Sequence, residues 1–128
     1  MKNYIGLYII ILLLFTLVLY TFIFVHDVKT NLVEDAKILS SIDMIDDNTE
    51  MLFDKIENNF FEMEYKITSF VNHSVYKDVV KELNDIKYDI EFNLLSDFKK
   101  DTASLLEFLE EIVDNEKPKI NNIFWLKY

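Results

Sequence analysis

Few side chains in this chain have both the type and the spacing that enzyme chemistry requires. The two histidines, His26 and His73, lie far apart in the sequence and there is no cysteine, so no zinc site is indicated. Ser74 follows His73, but a nucleophile and its base are brought together by the fold, not by being sequence neighbours. Because Gly6 is the only glycine, no glycine-rich loop can hold a phosphate group. The sequence therefore predicts no enzyme activity, no cofactor and no metal site.

Two runs of acidic side chains are the remaining candidates for cation binding. They are Asp43, Asp46, Asp47 and Glu50 in the first run, and Glu107, Glu110, Glu111 and Asp114 in the second. The first run lacks the glycine at the sixth position and the alternating acids of a calcium-binding EF-hand loop. In the second run, like charges at helical spacing repel one another, and a basic partner or a cation would relieve that repulsion. We interpret both runs as solvated charge on helices.

The histidines have simple interpretations as well. His73 lies at a predicted junction between two helices, where it can either bond a helix end or titrate near neutral pH as a sensor or binding group. We interpret it first as structural and keep it as a candidate partner-binding residue. His26 directly follows an apolar run and is expected at a membrane surface.

That apolar run, residues 4–25, contains no charged side chain. A helix of this length rises by about 33 Å, enough to cross the hydrocarbon core of a bilayer. The run is longer than the core of a signal peptide, and no small residue follows it as a cleavage site. We therefore predict an uncleaved, single-pass anchor at residues 1–25 and a soluble acidic helical domain at residues 26–128. Lys2 favours a cytoplasmic N-terminus, which places the domain outside the cell membrane.

The domain beyond the anchor is strongly acidic. After Val25 the chain has 12 lysines, no arginine, and 23 aspartates and glutamates. Such a domain is repelled by nucleic acid and by anionic lipid headgroups. The predicted partners are therefore the lipid bilayer, reached through the anchor, and another membrane protein, and no nucleic acid is expected. Gly6 has no small residue four positions away, so the anchor has no small-residue dimer seam, and the oligomeric state stays open.

Apolar residues recur at steps of three and four along the domain, which predicts helices with one buried stripe each. The stripes are Leu32, Ala36, Leu39 and Ile42; Leu52, Ile56, Phe60, Met63, Ile67 and Phe70; Tyr76, Val79, Leu83, Ile86, Ile90 and Leu94; and Phe98, Thr102, Leu105, Leu109 and Ile112. The predicted fold is all-α: an N-terminal transmembrane helix followed by a small antiparallel bundle of about four helices, arranged as tandem helical hairpins. The first of the four is expected to continue, or nearly continue, the membrane helix.

Polar residues mark the ends of the predicted helices. Asp47 or Asn48 is the expected N-cap of the second helix, Ser74 of the third and Ser96 of the fourth. Pro118 prevents the last helix from continuing.

With these elements placed, the chain resembles a family of small membrane proteins from low-GC, mostly spore-forming bacteria. Its members have an N-terminal span and a short domain of tetratricopeptide-like helical hairpins, described as a domain of unknown function. The resemblance is carried by an apolar helix ending in a His-Ser step, residues 67–74, and by Asn122-Ile123-Phe124. The chain departs from the family pattern because its second helix has no Trp, and Val75 stands where an acidic residue often follows the His-Ser step. The resemblance implies a membrane-bound, non-enzymatic module that works beside another membrane protein.

The C-terminal tail carries the other candidate partner-binding residues. Asn122, Ile123, Phe124 and Trp125 form a short, mostly apolar segment. It either folds back over the end of the bundle, or docks on a partner or on the bilayer surface. The leading hypothesis is an uncharacterised, membrane-anchored accessory or binding protein that docks on another membrane protein. The alternatives are an extracytoplasmic domain that senses a ligand or a cation, and a structural spacer.

Overall fold

The structure, a computed structural model, describes residues 2–116, which contain helices and no strand. The elements are α1 (Lys2–Val28), a π-helical segment (Lys29–Val33), α2 (Glu34–Ser40), α3 (Asp47–Glu62), α4 (Glu64–Phe70), α5 (His73–Glu91) and α6 (Leu95–Glu116). The predicted all-α class is confirmed. Pro118 and the predicted tail site, residues 122–125, lie outside the described residues.

The first three elements form one continuous helix that contains both the apolar run and the first helix of the bundle. It covers 38 residues, Asn3–Ser40, and is long and apolar enough to cross a membrane. Apolar side chains in its first half stand free of the bundle, with Leu12 63 % and Leu13 64 % exposed. From Phe24 onwards one face of the helix is buried. The boundary predicted at Val25 therefore falls within a helix, one residue after the bundle core begins.

A π-helical turn keeps the buried face of the long helix aligned with the bundle. The buried side chains on this face include four that are spaced four residues apart: Phe24, Val28, Leu32 and Ala36. An α-helix has about 3.6 residues per turn, so each step of four rotates the next side chain by roughly 40° around the axis. The wider turn at Lys29–Val33 absorbs part of this rotation, and the same face stays in contact with the bundle.

Helices α3 and α4 run antiparallel to the long helix and return the chain towards the apolar run. Lys55 of α3 pairs with Asp35 at 3.3 Å, and Lys66 of α4 pairs with Asp27 at 3.8 Å. The partner on the long helix thus moves towards the N-terminus as α3 and α4 advance. Phe70, the last residue of α4, therefore lies at the level where the bundle meets the apolar run.

Helices α5 and α6 form a second hairpin, and their apolar stripes complete the core. Most buried side chains from α3 to α6 come from the predicted stripes, among them Ile56, Phe60, Ile67, Val79, Leu83, Ile86, Phe98, Leu105, Leu109 and Ile112. Phe53, Thr49 and Asp89 are also buried but lie outside those stripes, and Leu94 of the third stripe is 36 % exposed. Lys99 of α6 pairs with Asp43 at 3.5 Å, beyond the far end of the long helix, so the α5–α6 turn lies away from the apolar run. The predicted second helix is divided in two, because the helix breaks at Met63, where ψ is 3°.

The N-terminus of α3 is one residue earlier than the sequence predicts. Asp46 is the cap: its side chain accepts a hydrogen bond from the backbone N–H of Thr49 at 2.9 Å. Thr49 completes a capping box because its hydroxyl accepts from the backbone N–H of Asp46 at 3.2 Å. The predicted caps, Asp47 and Asn48, therefore lie in the first turn of α3.

The N-terminus of α5 is also shifted. Asn72 is its cap, and the side-chain oxygen of Asn72 accepts from the backbone N–H of Ser74 at 3.1 Å. Ser74, the predicted cap, donates to that oxygen from within the first turn. His73 is consequently the first residue of the helix.

The turn between α5 and α6 explains why α6 starts before Ser96, its predicted cap. Asn93 has a left-handed backbone with φ of 55°, which a short polar residue tolerates better than a bulky one. The backbone N–H of Leu94 then donates to the carbonyl of Asp89 at 2.8 Å, the bond that closes a Schellman-type helix end. This turn is complete by Leu95, where α6 begins.

Candidate functional site

Five carboxyl groups line the contact between α5 and α6, and we call this group the acidic seam. Its members are Glu82, Asp85 and Asp89 on α5, and Asp97 and Asp101 on α6. Glu82, Asp85 and Asp101 each present one oxygen, and these three oxygens all lie within 4.8 Å of one another. The three side chains are half-buried, so water and ions can reach them.

Asp89 is the buried member of the acidic seam. Only 3 % of its surface is exposed, and its Oδ2 has no hydrogen-bond partner among the described residues. Burial first, then a hydrogen bond with the side chain of Asp101, then the charges of the other seam aspartates raise the pKa of Asp89 to about 7. Asp89 also lies near the C-terminal end of α5, where the helix dipole disfavours negative charge. The seam thus holds a carboxyl in a place that disfavours its ionised form.

The other side chains of the seam receive little compensation from the protein. Oε2 of Glu82 is buried and has no hydrogen-bond partner within residues 2–116. Burial first, then the negative charges of Asp101 and Asp85 raise the pKa of Glu82, although Lys81 acts in the opposite direction. The ion pairs in the described part of the chain join other groups: Lys55–Asp35, Lys66–Asp27, Lys87–Glu57 and Lys99–Asp43.

A second region of interest is the α4–α5 corner, where the bundle meets the apolar run. The ring of Phe70 stacks on that of Phe24, with 4.8 Å between centroids, and lies 5.3 Å from that of Tyr20. Tyr20 belongs to the uncharged run, so the corner reaches the level of the last turns of that run. Aromatic side chains at this level are typical of a membrane interface.

His73 lies at this corner and stacks on Tyr76. His73 is exposed, and the two ring centroids are 6.3 Å apart with an angle of 15° between the ring planes. The hydroxyl of Tyr76 donates to Oε1 of Glu64 at 2.7 Å. This bond first, then burial and the charge of Glu64, raise the pKa of Tyr76 to about 12. The other candidate partner-binding residues, Asn122–Trp125, lie outside the described residues, so their position relative to His73 stays a prediction.

The two predicted acidic runs are separate from the seam. In the first run, Asp46 caps α3, and the backbone N–H of Thr49 holds the pKa of Asp46 below its usual range. Asp43 pairs with Lys99. The second run lies on the exposed side of α6: Glu107, Glu110, Glu111 and Asp114.

The sequence contains a signal for the seam, but it is spread over two helices. Glu82, Asp85 and Asp89 are three and four residues apart, and Asp97 and Asp101 are four apart, so each set lies on one side of its helix. A helical projection places an acidic stripe beside each apolar stripe. Whether the two acidic stripes meet depends on how α5 and α6 pair, which the spacing alone does not specify.

Comparison of the chain with protein-family models, with curated proteins and with solved structures finds no match.

Proposed function

We propose that this chain is a single-pass membrane protein whose helical domain is a non-enzymatic binding module that docks on another membrane protein. The observation that carries the proposal is the continuous helix Asn3–Ser40, whose first half exposes apolar side chains and whose second half forms part of the bundle core. A helical surface this apolar and this long is unfavourable in water and matches the hydrocarbon core of a bilayer. The bundle is then held at the end of the span without a flexible linker.

The α4–α5 corner supports the same proposal. Because Phe70 contacts Tyr20 and Phe24, this corner lies at the membrane surface when the span is in lipid. Two large side chains nearby are exposed, Phe61 at 42 % and Tyr65 at 81 %. A partner embedded in the same membrane would meet the domain at this level.

The orientation with a cytoplasmic N-terminus can be tested by cysteine labelling. The chain has no cysteine, so a single introduced thiol reports its own position. We expect Tyr65→Cys to react with a membrane-impermeant maleimide in intact cells, because the side chain is 81 % exposed and the domain is proposed to lie outside. Ile67→Cys, at a buried position, is the matched control and should stay unlabelled. Labelling of Tyr65→Cys only after lysis would contradict the proposed orientation and place the domain in the cytoplasm.

Docking can be tested by photo-crosslinking in intact membranes. A photoreactive residue at Phe61 or Tyr65 should give an adduct of one discrete mass with a membrane protein. The same residue at Met51 is the control and should give little adduct. Met51 is 69 % exposed but lies nearer the start of α3, roughly 15–20 Å from these two positions. Absence of adduct at both membrane-end positions, or equal adducts at all three positions, would contradict docking at this level.

Cation sensing is a second candidate function, and the acidic seam is the observation that favours it. A sensor must change its interaction with a partner when the ligand binds. We expect the crosslinking yield at Tyr65 to change at least twofold between CaCl₂ and chelator at equal ionic strength. An unchanged yield would exclude sensing through this contact and leave docking unaffected.

A further inference from the structure

We propose that the acidic seam binds a divalent cation of the Ca²⁺ type, with the carboxylates of Glu82, Asp85 and Asp101 as its protein ligands. These residues come from two helices, so the cation would link α5 directly to α6. The proposal names a ligand for the sensing candidate but does not depend on docking, because binding is measured on the purified chain alone.

The spacing of the seam oxygens fits this class of ion. Ca²⁺ binds oxygen at about 2.3–2.6 Å, so two ligands on opposite sides of the ion are about 4.6–5.2 Å apart. The oxygens of Glu82, Asp85 and Asp101 lie within 4.8 Å of one another, inside that limit. Mg²⁺ binds at about 2.0–2.1 Å, demands a stricter octahedron and gives up its water reluctantly, so three carboxylates on two helices suit the more flexible coordination of Ca²⁺ better. Three carboxylates on half-buried side chains leave the remaining positions of Ca²⁺ to water and to a second oxygen of the same groups.

Asp89 provides an independent indication of a ligand. Only 3 % of its surface is exposed, and its Oδ2 has no hydrogen-bond partner among the described residues. Its carboxyl group is within hydrogen-bonding reach of the side chain of Asp101. Buried carboxylates in proteins are paired, hydrogen-bonded or bound to metal. A cation beside Asp101 would supply the positive charge that this buried group lacks.

The lysines near the seam do not supply that charge. Lys81 is exposed and only partly offsets the negative field at Glu82. Lys87 pairs with Glu57 at 3.8 Å and Lys99 pairs with Asp43 at 3.5 Å. Both lysines thus face other helices or loops, and the seam keeps its concentration of negative charge.

The proposal can be tested with the full chain purified in detergent micelles and freed of metal with a chelator. Titration with CaCl₂ in a calorimeter should show saturable binding at one site, with a dissociation constant of about 10⁻⁴–10⁻³ M, as in other extracellular calcium modules. The same salt should raise the thermal midpoint of unfolding, because the ion binds only the folded seam. MgCl₂ should bind at least tenfold more weakly, and NaCl at matched ionic strength should leave the midpoint within 1 °C, roughly the scale of a surface screening effect.

Two variants test whether the ion binds in the seam. Asp101→Asn and Glu82→Gln should each lower the affinity for Ca²⁺ at least tenfold. Both remove a charge from a crowded cluster, so both should be at least as stable as the wild type without metal, and loss of folding does not explain a loss of binding. Glu107→Gln combined with Glu111→Gln removes two exposed acids from the same helix and should keep the wild-type affinity within twofold.

Two outcomes would overturn the proposal. One is a CaCl₂ titration with no binding heat and no midpoint shift beyond that of NaCl, which would show that the seam exchanges only protons. The other is unchanged Ca²⁺ affinity in Asp101→Asn and in Glu82→Gln, which would place the ion on another acidic surface.

Discussion

At the α4–α5 corner the helices meet through aromatic rings, whereas roughly 18 Å further along α5 the contact with α6 includes five carboxyl groups. In the corner, the hydroxyl of Tyr76 donates to Glu64 at 2.7 Å, and the rings of Phe60 and Tyr76 stack at 5.6 Å. In the seam, Oδ2 of Asp89 and Oε2 of Glu82 are buried without partners among the described residues.

This difference separates a region that stabilises the fold from one that weakens it. Apolar contacts and a satisfied hydrogen bond both favour the folded state. Buried carboxyls beside other carboxyls oppose it, since neither burial nor the neighbouring charges favour ionisation. Local features that reduce stability often coincide with functional sites, so the seam is where we expect a small ligand to bind. The corner is expected to contribute stability, and the exposed side chains near it remain the proposed docking surface.

The largest effect on this difference between corner and seam is expected from removing the ring of Phe24 at the corner. We expect Phe24→Ala to lower the free energy of unfolding by about 3–5 kcal/mol, because it leaves a cavity where a fully buried aromatic ring packed. Phe24 is 1 % exposed and stacks on Phe70 at 4.8 Å. Denaturant unfolding of the full chain in micelles, followed by circular dichroism, measures the loss.

The control for this variant lies two residues earlier on the same helix. Phe22 is 50 % exposed and points away from the bundle core, so Phe22→Ala should change the unfolding of the bundle by less than about 0.5 kcal/mol. Equal losses for Phe22→Ala and Phe24→Ala would contradict the assignment of the corner as a stabilising contact.

In the seam the expected sign is opposite. We expect Asp89→Asn to raise the free energy of unfolding by about 1–3 kcal/mol at pH 8 in the presence of chelator, because it removes a buried charge that has no counter-charge. Glu91→Gln, at an exposed position on the same helix, should change it by less than about 0.5 kcal/mol. A destabilised Asp89→Asn variant would mean that the carboxylate is stabilising in the folded chain. Added CaCl₂ should reduce the difference between the variant and the wild type.

The same residue predicts a pH dependence of stability in metal-free buffer. The pKa of Asp89 is raised from 3.8 to about 7 in the folded chain, so the folded state holds the proton more tightly than the unfolded state. The favourable contribution of Asp89 to the free energy of unfolding is complete below about pH 4 and is lost as the pH rises from about 4 to about 7. The carboxyls that face Asp89 are Asp101, Asp97 and Asp85. Unfolding midpoints measured across this range should decline for the wild type and decline less for Asp89→Asn; identical slopes would contradict the assignment.

The smallest effect is expected from the polar contact at the corner. Tyr76→Phe removes the hydrogen bond to Glu64 and keeps the ring, so the free energy of unfolding should fall by about 0.5–1 kcal/mol. Tyr88→Phe, on the exposed side of the same helix with 56 % exposure, is the matched control and should be neutral. If the two variants behave alike, the bond at 2.7 Å contributes nothing measurable.

The helices of this chain can be predicted from sequence because their apolar spacing is regular. Every residue of the stripe from Phe98 to Ile112 is buried as the period requires, and the first stripe continues the apolar run without a break. The helix ends are less determined. Asp46, Asp47 and Asn48 are all good capping residues, and the choice of Asp46 depends on Thr49 three positions later, which returns a hydrogen bond to the cap.

The acidic seam is harder to predict because it depends on contact between two helices. Asp89 falls on the core side of α5, but period alone does not distinguish a buried aspartate from an interruption of the apolar stripe. Its neighbours Asp97 and Asp101 lie beyond the turn at Asn93, and that turn sets the register of the hairpin. The dense acidic runs elsewhere are easier to see in the sequence, yet they lie on exposed surfaces.

If the proposed span lies in a bilayer, the continuous helix Asn3–Ser40 makes the position of the bundle depend on the tilt of that span. From Phe24 to Ser40 the helix rises roughly 24 Å, and no break interrupts it. A change of about 10° in the tilt of the span would carry the far end sideways by about 4 Å, within the range of tilts that membrane helices adopt. Bilayer thickness would thereby set where the outer end of the domain stands relative to a neighbouring protein.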